Sequence, residues 1–288
     1  EEMLESMHRI SEKIIPYFKN INSEVTWDNK IYTMIKPIIC DYSIDGNGQP
    51  LFLIHGIGAA RDAWRFMIPK LKEHFTVISY DLRGHGTSPI PSNEFDLEDL
   101  VLDLELLRDR LGFDKSHFAG HSLGGMIAPA YARKYPNRVI SLGLLSTAAG
   151  RTKEDRSKLS NVIKSMENNG IPRILSTLIS RWFTDEFIAN NPEIVEQRIK
   201  QVTNTDPRIF LNVFRIYANT EMSPWLKELL IPTLVLTGEN DGACNPRLNK
   251  LIADIIPSSK LVILPNYKHS ILVEAPDEIS ENLIKFML

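Results

Sequence analysis

Ser116-His117-Phe118-Ala119-Gly120-His121-Ser122-Leu123-Gly124-Gly125 is the stretch that decides the fold. Its first four residues are predicted to form a buried strand, and the amphipathic run from Leu123 to Lys134 is predicted to form a helix. Glycines on both sides of Ser122 permit a sharp turn, in which backbones approach too closely for a Cβ. A glycine-rich helix start with a capping serine would contain similar residues. The order of strand, turn and helix favours instead a serine whose hydroxyl is exposed beside the N–H groups of a helix N-terminus.

On either side of this turn, short apolar runs alternate with stretches of helical period from Leu51 onward. This alternation is typical of βα units and predicts an α/β fold with a mainly parallel central sheet flanked by helices. The predicted strands are Leu51–His55, Phe75–Tyr80, Ser116–Ala119, Val139–Ser146, Thr233–Thr237 and Leu261–Leu264. The predicted helices are Ala60–Glu73, Leu97–Leu111, Leu123–Lys134, Asn245–Ile256 and Asp277–Leu288.

Two stretches interrupt this alternation. Residues 148–230 lie between two predicted strands and contain no β-rich run, so we expect an all-helical insertion between core pieces 41–147 and 231–288. Residues 1–40 are predicted to form a partly helical N-terminal extension with an apolar stripe. We expect this stripe to pack on its own domain, although a membrane surface or a partner would suit the same pattern. The stripe consists of Met3, Leu4, Met7, Ile10, Ile14, Ile15 and Phe18.

Composition excludes several classes of protein. The 288 residues include 33 basic and 36 acidic side chains, a balance that gives no electrostatic reason to expect nucleic acid as a partner. No run reaches the roughly 18 apolar residues of a membrane span, so no integral membrane segment is expected. The two cysteines, Cys40 and Cys244, form no CxxC pair, which favours a reducing, cytoplasmic location. No HExxH, EF-hand or clustered Cys/His pattern occurs, so no metal site is predicted.

A serine hydroxyl is a weak nucleophile until a base takes its proton, so Ser122 requires a histidine and a carboxylate elsewhere in the chain. Asp241 follows one predicted strand and His269 follows the next, which places both at the sheet edge where Ser122 is expected. We therefore predict Ser122, Asp241 and His269 as a catalytic triad. Glu239 is a rival acid, but Asp241 lies farther past its strand, where the side chain can turn inward.

A second group of glycines, in His55-Gly56-Ile57-Gly58, ends the first strongly predicted strand. The glycines let the backbone bend, so an N–H can point towards Ser122. We predict that the N–H groups of Ile57 and Leu123 form an oxyanion hole. Two glycines followed by Asp81 also imitate a dinucleotide-binding fingerprint, but the third glycine of that fingerprint is missing.

Asp81-Leu82-Arg83-Gly84-His85-Gly86-Thr87-Ser88 is the other dense motif. Arg83 and His85 have side chains suited to catalysis. We favour a structural role, because the turn is crowded with glycines and Asp81 is expected to pair with Arg83. The motif is thus predicted to be a hydrogen-bonded scaffold behind the site.

From about Cys40 to its end, the chain resembles the α/β-hydrolase family. The motifs that carry this resemblance are His55-Gly56, Asp81-x-Arg83-Gly84-x-Gly86-x-Ser88, Gly120-His121-Ser122-Leu123-Gly124-Gly125, Asp241 and His269-x4-Glu274-x-Pro276. The resemblance implies that residues 148–230 form a helical cap over the pocket and that no cofactor is needed. One departure is Lys268, since small residues are usual before the histidine.

Within that family, the chain looks most like small esterases and 3-oxoadipate enol-lactonases. The likeness rests on Ser146-Thr147-Ala148-Ala149, Arg181-Trp182-Phe183-Thr184-x-x-Phe187 and Thr205-Asp206-Pro207. Trp182, Phe183 and Phe187 of the cap are therefore expected to contact substrate. The resemblance implies hydrolysis of a small-molecule carboxylic ester, lactone or thioester through an acyl-enzyme. Hydrolysis of a C–C bond in ring-fission products, or a receptor that performs no turnover, are the alternatives.

Overall fold

A computed structural model describes residues 37–288, and the predicted N-terminal stripe lies outside the described residues. The strands form one seven-stranded sheet in the order β1-β3-β2-β4-β5-β6-β7, with every neighbouring pair parallel except β1 and β3. They are β1 Tyr42–Asp45, β2 Gln49–Ile54, β3 Phe75–Tyr80, β4 Ser116–His121, β5 Val139–Leu145, β6 Thr233–Gly238 and β7 Ser259–Leu264. The predicted α/β class with a mainly parallel sheet is confirmed.

The central strands are buried on both faces, which explains why they are continuous apolar runs in the sequence. In β2, Leu51 and Leu53 belong to one apolar cluster, whereas Phe52 and Ile54 belong to a second. Successive side chains of a strand point to opposite faces, so these two clusters are the cores on the two sides of the sheet. Helices must cover both.

Eleven α-helices occur within the described residues. They are α1 Ile68–Leu71, α2 Leu97–Arg110, α3 Gly124–Lys134, α4 Lys153–Asn169, α5 Leu175–Trp182, α6 Asp185–Asn190, α7 Pro192–Asn204, α8 Pro207–Asn219, α9 Pro246–Ile255, α10 Ile271–Glu274 and α11 Pro276–Met287. Apolar side chains of α2, α3 and α9 enter one core, and those of α1, α10 and α11 enter the other. No helix in residues 37–288 is both long enough and apolar enough to cross a membrane.

Residues 148–230, here called the inserted segment, connect β5 to β6 through α4, α5, α6, α7 and α8 and contain no strand. These helices share a small apolar cluster of their own, which includes Met166, Val202, Phe210 and Phe214. Side chains of α8 also reach the large core beside α2 and α3. The inserted segment is thus packed within itself and against one layer of the core.

Two details of secondary structure differ from the predictions. The continuous helix predicted over 60–73 is wrong: a 3-10 turn at Arg61–Trp64 is followed by the short helix α1. Pro69 lies in the first turn of α1, where a missing N–H is tolerated, whereas inside a continuous helix it would remove the hydrogen bond to the carbonyl of residue 65. The edge strand β1 was not predicted, because it has only four residues and is partly exposed.

The predicted ion pair between Asp81 and Arg83 is also wrong. The Arg83 guanidinium is fully buried and binds Asp103 of α2 in a bidentate manner, with both N–O distances 2.6 Å. Asp81 instead accepts the backbone N–H of Arg61 at 2.7 Å. A planar guanidinium can donate two parallel hydrogen bonds to the two oxygens of a carboxylate, and Asp103 of α2 provides that carboxylate. The motif still acts as a scaffold, because these bonds fix the turn after β3.

Candidate active site

Ser122 occupies a strained turn between β4 and α3. Its φ is +56°, a conformation that residues with a Cβ rarely adopt. A Cβ on Gly120 would lie 2.0 Å from the carbonyl oxygen of Gly124, and a Cβ on Gly124 would lie 2.1 Å from that of Ile54. Neither position admits any other residue without movement of the backbone. The glycines at 120 and 124 are therefore steric requirements of the turn.

Backbone hydrogen bonds hold Ser122 in this position. Its N–H donates to the carbonyl of Leu145 at 2.9 Å, and its own carbonyl accepts the Thr147 hydroxyl at 2.9 Å. Both partners come from β5 or the residues just after it. Strain at the turn is thus balanced by bonds to the neighbouring strand, and the side chain stays at the carboxyl end of the sheet.

The loop after β2 lies directly beside the serine. A Cβ on Gly56 would be 3.0 Å from the Cβ of Ser122. Within residues 37–288, neither the N–H of Ile57 nor that of Leu123 donates to a protein acceptor. The helix α3 begins one residue after Leu123 and has no side-chain cap, so its positive end also faces this region. Both N–H groups thus have no protein acceptor within the described residues.

His269 and Asp241 form a hydrogen-bonded pair at the same sheet edge. Asp241 follows β6 and His269 follows β7, and the distance from His269 Nδ1 to Asp241 Oδ2 is 2.9 Å. The other carboxylate oxygen of Asp241 accepts the N–H groups of Ala243 at 2.8 Å and Cys244 at 2.7 Å. With Nδ1 bound to Asp241, the Nε2 atom of His269 is left to exchange a proton.

Asp241 is ionised although it is buried. Burial opposes its charge, but the charge of His269 and the hydrogen bonds from His269, Cys244 and Ala243 outweigh burial and lower its pKa. The rival acid Glu239 has an exposed side chain that accepts the N–H of Asn266. Of the two acids, Asp241 is therefore the one that contacts the histidine.

Buried, neutral histidines form hydrogen bonds that hold the loops around Ser122 and His269. Burial lowers the pKa of His121 to about 3 and that of His55 to about 4, and His121 Nε2 donates to the carbonyl of His269 at 2.9 Å. His85, with its pKa lowered to about 3 mainly by burial, accepts the N–H of Gly58 at 3.2 Å. These rings are uncharged hydrogen-bonding groups, so they fix the loops without bringing a proton donor into competition with His269.

Ser122 and His269 line a cavity of about 660 Å³. Ile57 contributes to the same wall, and the inserted segment contributes Trp182 and Phe183. Phe187 is not part of the lining; its ring stacks on that of Phe183 with the centroids 5.4 Å apart. The described part of the chain contains no group of three or more His, Cys, Asp or Glu side chains placed to hold a metal ion.

Arg198, on α7, is a residue of the cavity that sequence reasoning missed. It donates through Nη2 to the carbonyl of Ile57 at 2.8 Å and through Nη1 to the carbonyl of Gly58. Its guanidinium also lies 4.8 Å from the ring centre of Trp182. Nothing local distinguishes this arginine from the other charges on an amphipathic helix, so no sequence signal was available to find it.

A family model described as alpha/beta hydrolase fold matches residues 49–169, the stretch that contains the loop after β2 and the turn at Ser122. The chain has the α/β-hydrolase fold. This match and the sequence relatives support a hydrolase with this fold.

Named relatives of this α/β hydrolase act on different substrates. The chain is 28% identical to 3-oxoadipate enol-lactonase 1 of Acinetobacter baylyi over 195 residues, which cover 68% of this chain and 72% of that protein. It is 29% identical to Lipase 1 of Psychrobacter immobilis, with 96% and 88% of the two chains covered. A solved thermophilic esterase from Thermogutta terrifontis superposes with a TM-score of 0.78 at 28% identity, covering 86% of this chain and 92% of that one.

Proposed function

We propose that this α/β hydrolase cleaves a carboxylic ester, lactone or thioester through an acyl-enzyme on Ser122. One observation supports the proposal: Ser122, in a strained conformation, and His269, paired with Asp241, line the same cavity as Ile57. Each group matches a requirement of acyl transfer, namely a nucleophile, an oriented base and donors for an oxyanion.

In the proposed reaction, His269 Nε2 takes the hydroxyl proton as Ser122 Oγ attacks the carbonyl carbon. The negative charge on the carbonyl oxygen is stabilised by the N–H groups of Ile57 and Leu123. Asp241 keeps the imidazole oriented and stabilises its cation. The protonated His269 then gives its proton to the leaving alcohol, thiol or ring oxygen. A water molecule, activated by the same histidine, releases the acid and regenerates the serine.

The relatives support this class of substrate, since their names include an enol-lactonase, a lipase and an esterase. The inserted segment would act as a cap over the site, with Trp182 and Phe183 in contact with the substrate. Phe187 would act indirectly, by stacking on Phe183.

Replacement of Ser122 by alanine tests the proposal. We expect Ser122→Ala to lower kcat for p-nitrophenyl butyrate by about 10⁴-fold or more, because the nucleophile is lost. Asp241→Asn should lower it by roughly 10³- to 10⁴-fold with the fold intact. Ser160→Ala, which alters an exposed serine on α4, is the matched control and should keep full activity.

Covalent labelling provides a second measurement. A fluorophosphonate should label the wild-type protein once, at Ser122, and should not label Ser122→Ala. Turnover that persists in Ser122→Ala would contradict the proposal. Labelling without multiple turnovers on any ester or lactone would favour the receptor alternative instead.

A further inference from the structure

The motif His269-x4-Glu274 ends in a carboxylate that the proposed reaction does not use. Glu274 is the last residue of α10, the single helical turn that begins two residues after His269. Its side chain is half-buried. Burial raises the pKa of this carboxyl group, and hydrogen bonds from Thr184 oppose that rise. A charge in such a place needs donors, and the inserted segment provides them.

Both oxygens of Glu274 accept hydrogen bonds from Thr184. The Thr184 hydroxyl donates to Oε2 at 2.6 Å, and its backbone N–H lies 3.2 Å from Oε1 and 3.3 Å from Oε2. The same hydroxyl oxygen accepts the N–H of Phe187 at 3.1 Å, so Thr184 is also the N-cap of α6. Glu274 thus binds the inserted segment at the point where α5 ends and α6 begins.

The same stretch of the inserted segment binds the other end of α10. The N–H of Ser270, the residue after His269, donates to the carbonyl of Trp182 at 2.8 Å. Residues 182–184 therefore bind α10 at its start through the backbone of Ser270 and at its end through the side chain of Glu274. Because α10 has only four residues and a single turn is not stable alone, these bonds fix its position.

The position of His269 depends on this arrangement, because the bond from Nδ1 to Asp241 fixes only one atom of the ring. Where Nε2 lies also depends on the backbone at residues 269 and 270. His121 donates to the carbonyl of His269 at 2.9 Å, and the bond from Ser270 to the inserted segment fixes the next N–H. A shift of about 1 Å in such a loop can lower the rate about 10²-fold.

A further contact between this loop and the inserted segment is weaker. Lys268 Nζ donates to the carbonyl of Ser180 at 2.9 Å and pairs with Asp185, whose side chain is almost fully exposed. Exposed ion pairs contribute little, because water and salt screen them. The bonds between Glu274 and Thr184 are partly shielded from water and are therefore stronger.

We propose that Glu274 is a positioning residue for His269 and acts through residues 182–184. Its carboxylate holds this stretch in place, and the stretch in turn holds the loop that carries the base. Trp182 and Phe183 also line the cavity, so one stretch would form part of the substrate wall and position the base. The inference rests on the proposed function, because it requires that His269 is the base.

Replacement of Glu274 tests the proposal with p-nitrophenyl acetate as the substrate. We expect Glu274→Ala to lower kcat about tenfold and to change KM by less than about twofold, because the base is displaced while the cavity remains. Glu274→Gln keeps an acceptor oxygen for Thr184 and should recover most of the loss. The matched control is Glu186→Ala, the same change at an exposed glutamate of α6, which should keep the wild-type kcat.

Substitutions of Thr184 test the same contact from the inserted segment. Thr184→Ser keeps the hydroxyl and should retain the wild-type kcat, whereas Thr184→Val removes it and should lower kcat about threefold. In a double-mutant cycle, the valine should have little further effect on kcat when residue 274 is alanine, since both residues act through one contact. Loss of the α6 cap occurs in both backgrounds and does not alter this comparison.

The outcomes separate this inference from the proposed function. If Glu274→Ala keeps the wild-type kcat, or raises KM alone, the positioning role is wrong and the serine mechanism stands. An equal effect of Thr184→Val with glutamate or alanine at position 274 also refutes it. Should Glu274→Ala fail to fold, Thr184→Val decides with Thr184→Ser as its control: an unchanged kcat refutes the proposal. Turnover that persists in Ser122→Ala would refute the proposed function itself.

Discussion

The turn at Ser122 and the inserted segment differ in how tightly their residues are specified. At the turn, added Cβ atoms on Gly120 or Gly124 would lie within about 2.1 Å of backbone oxygens, so sterics dictate the residue. In the inserted segment, helix α4 has 17 residues, of which only Met166 is buried. The comparison shows that the turn holding Ser122 is fixed residue by residue. Helix α4 needs only an amphipathic pattern.

The largest expected difference between these two regions is in the loss of unfolding free energy caused by a glycine-to-alanine substitution. Gly124→Ala should lower the free energy of unfolding by about 3 kcal/mol or more, because the new methyl group meets the backbone at Ile54. Gly170→Ala, in the inserted segment, meets no atom closer than 3.7 Å, and only its φ of +77° opposes a side chain. We expect a loss of about 1 kcal/mol there. Urea unfolding measures both, and equal losses would show that sterics at the turn are relaxed.

Low pH should lower the stability of the core rather than that of the inserted segment. All seven histidines of the chain lie outside residues 148–230. Four of them, His55, His85, His117 and His121, have folded-state pKa values lowered to about 4, 3, 4 and 3, mainly by burial, against an ordinary value of about 6.5. Because the unfolded chain binds these protons first, this stabilisation is complete above about pH 6.5 and is lost as the pH falls towards 4.

The expected slope is up to about 1.4 kcal/mol per pH unit for each of the four histidines. Urea midpoints at pH 7, 6 and 5 measure the loss. His74→Gln, a change at an exposed histidine, is the control and should leave the slope unaltered. A free energy of unfolding that is constant between pH 7 and 5 would mean that the buried rings are protonated in the folded protein.

Removal of the Lys268 side chain should have the smallest effect. Its ammonium group donates to the carbonyl of Ser180 at 2.9 Å and pairs with Asp185 at 3.2 Å, so it joins the loop carrying His269 to the inserted segment. Asp185 is almost fully exposed, and such pairs contribute about 0–1 kcal/mol. We expect Lys268→Ala to lower stability by less than about 1 kcal/mol and kcat by less than about threefold, with Lys268→Arg as the control. A tenfold loss of kcat would assign this lysine to the reaction.

Much of the core could be predicted from the sequence because short-range rules determine it. Strands β2 to β7 each lie within two residues of their predicted bounds, because short apolar runs bounded by turn residues are typical of strands. The positions of Ser122, Asp241 and His269 also follow from local order, because parallel strands place their carboxyl ends at one edge.

Long-range partners could not be predicted in this way. Arg83 binds Asp103, which lies 20 residues away on α2, and nothing in either local stretch indicates the other. Arg198 reaches Ile57 across 141 positions, from a helix whose charges follow an ordinary amphipathic pattern. Such contacts depend on how layers of the fold meet, and a single sequence carries no local signal of that.

The loop formed by Ile57 and Gly58 is held from two directions. His85, from the core, accepts the N–H of Gly58, and Arg198, from the inserted segment, donates to the carbonyls of both residues. A graft of another helical insertion onto this core would leave those carbonyls without their donor unless it supplied a cation at the same place. The insertion is therefore not an exchangeable module, and evolution or design that replaces it must rebuild this junction before it can select a new substrate.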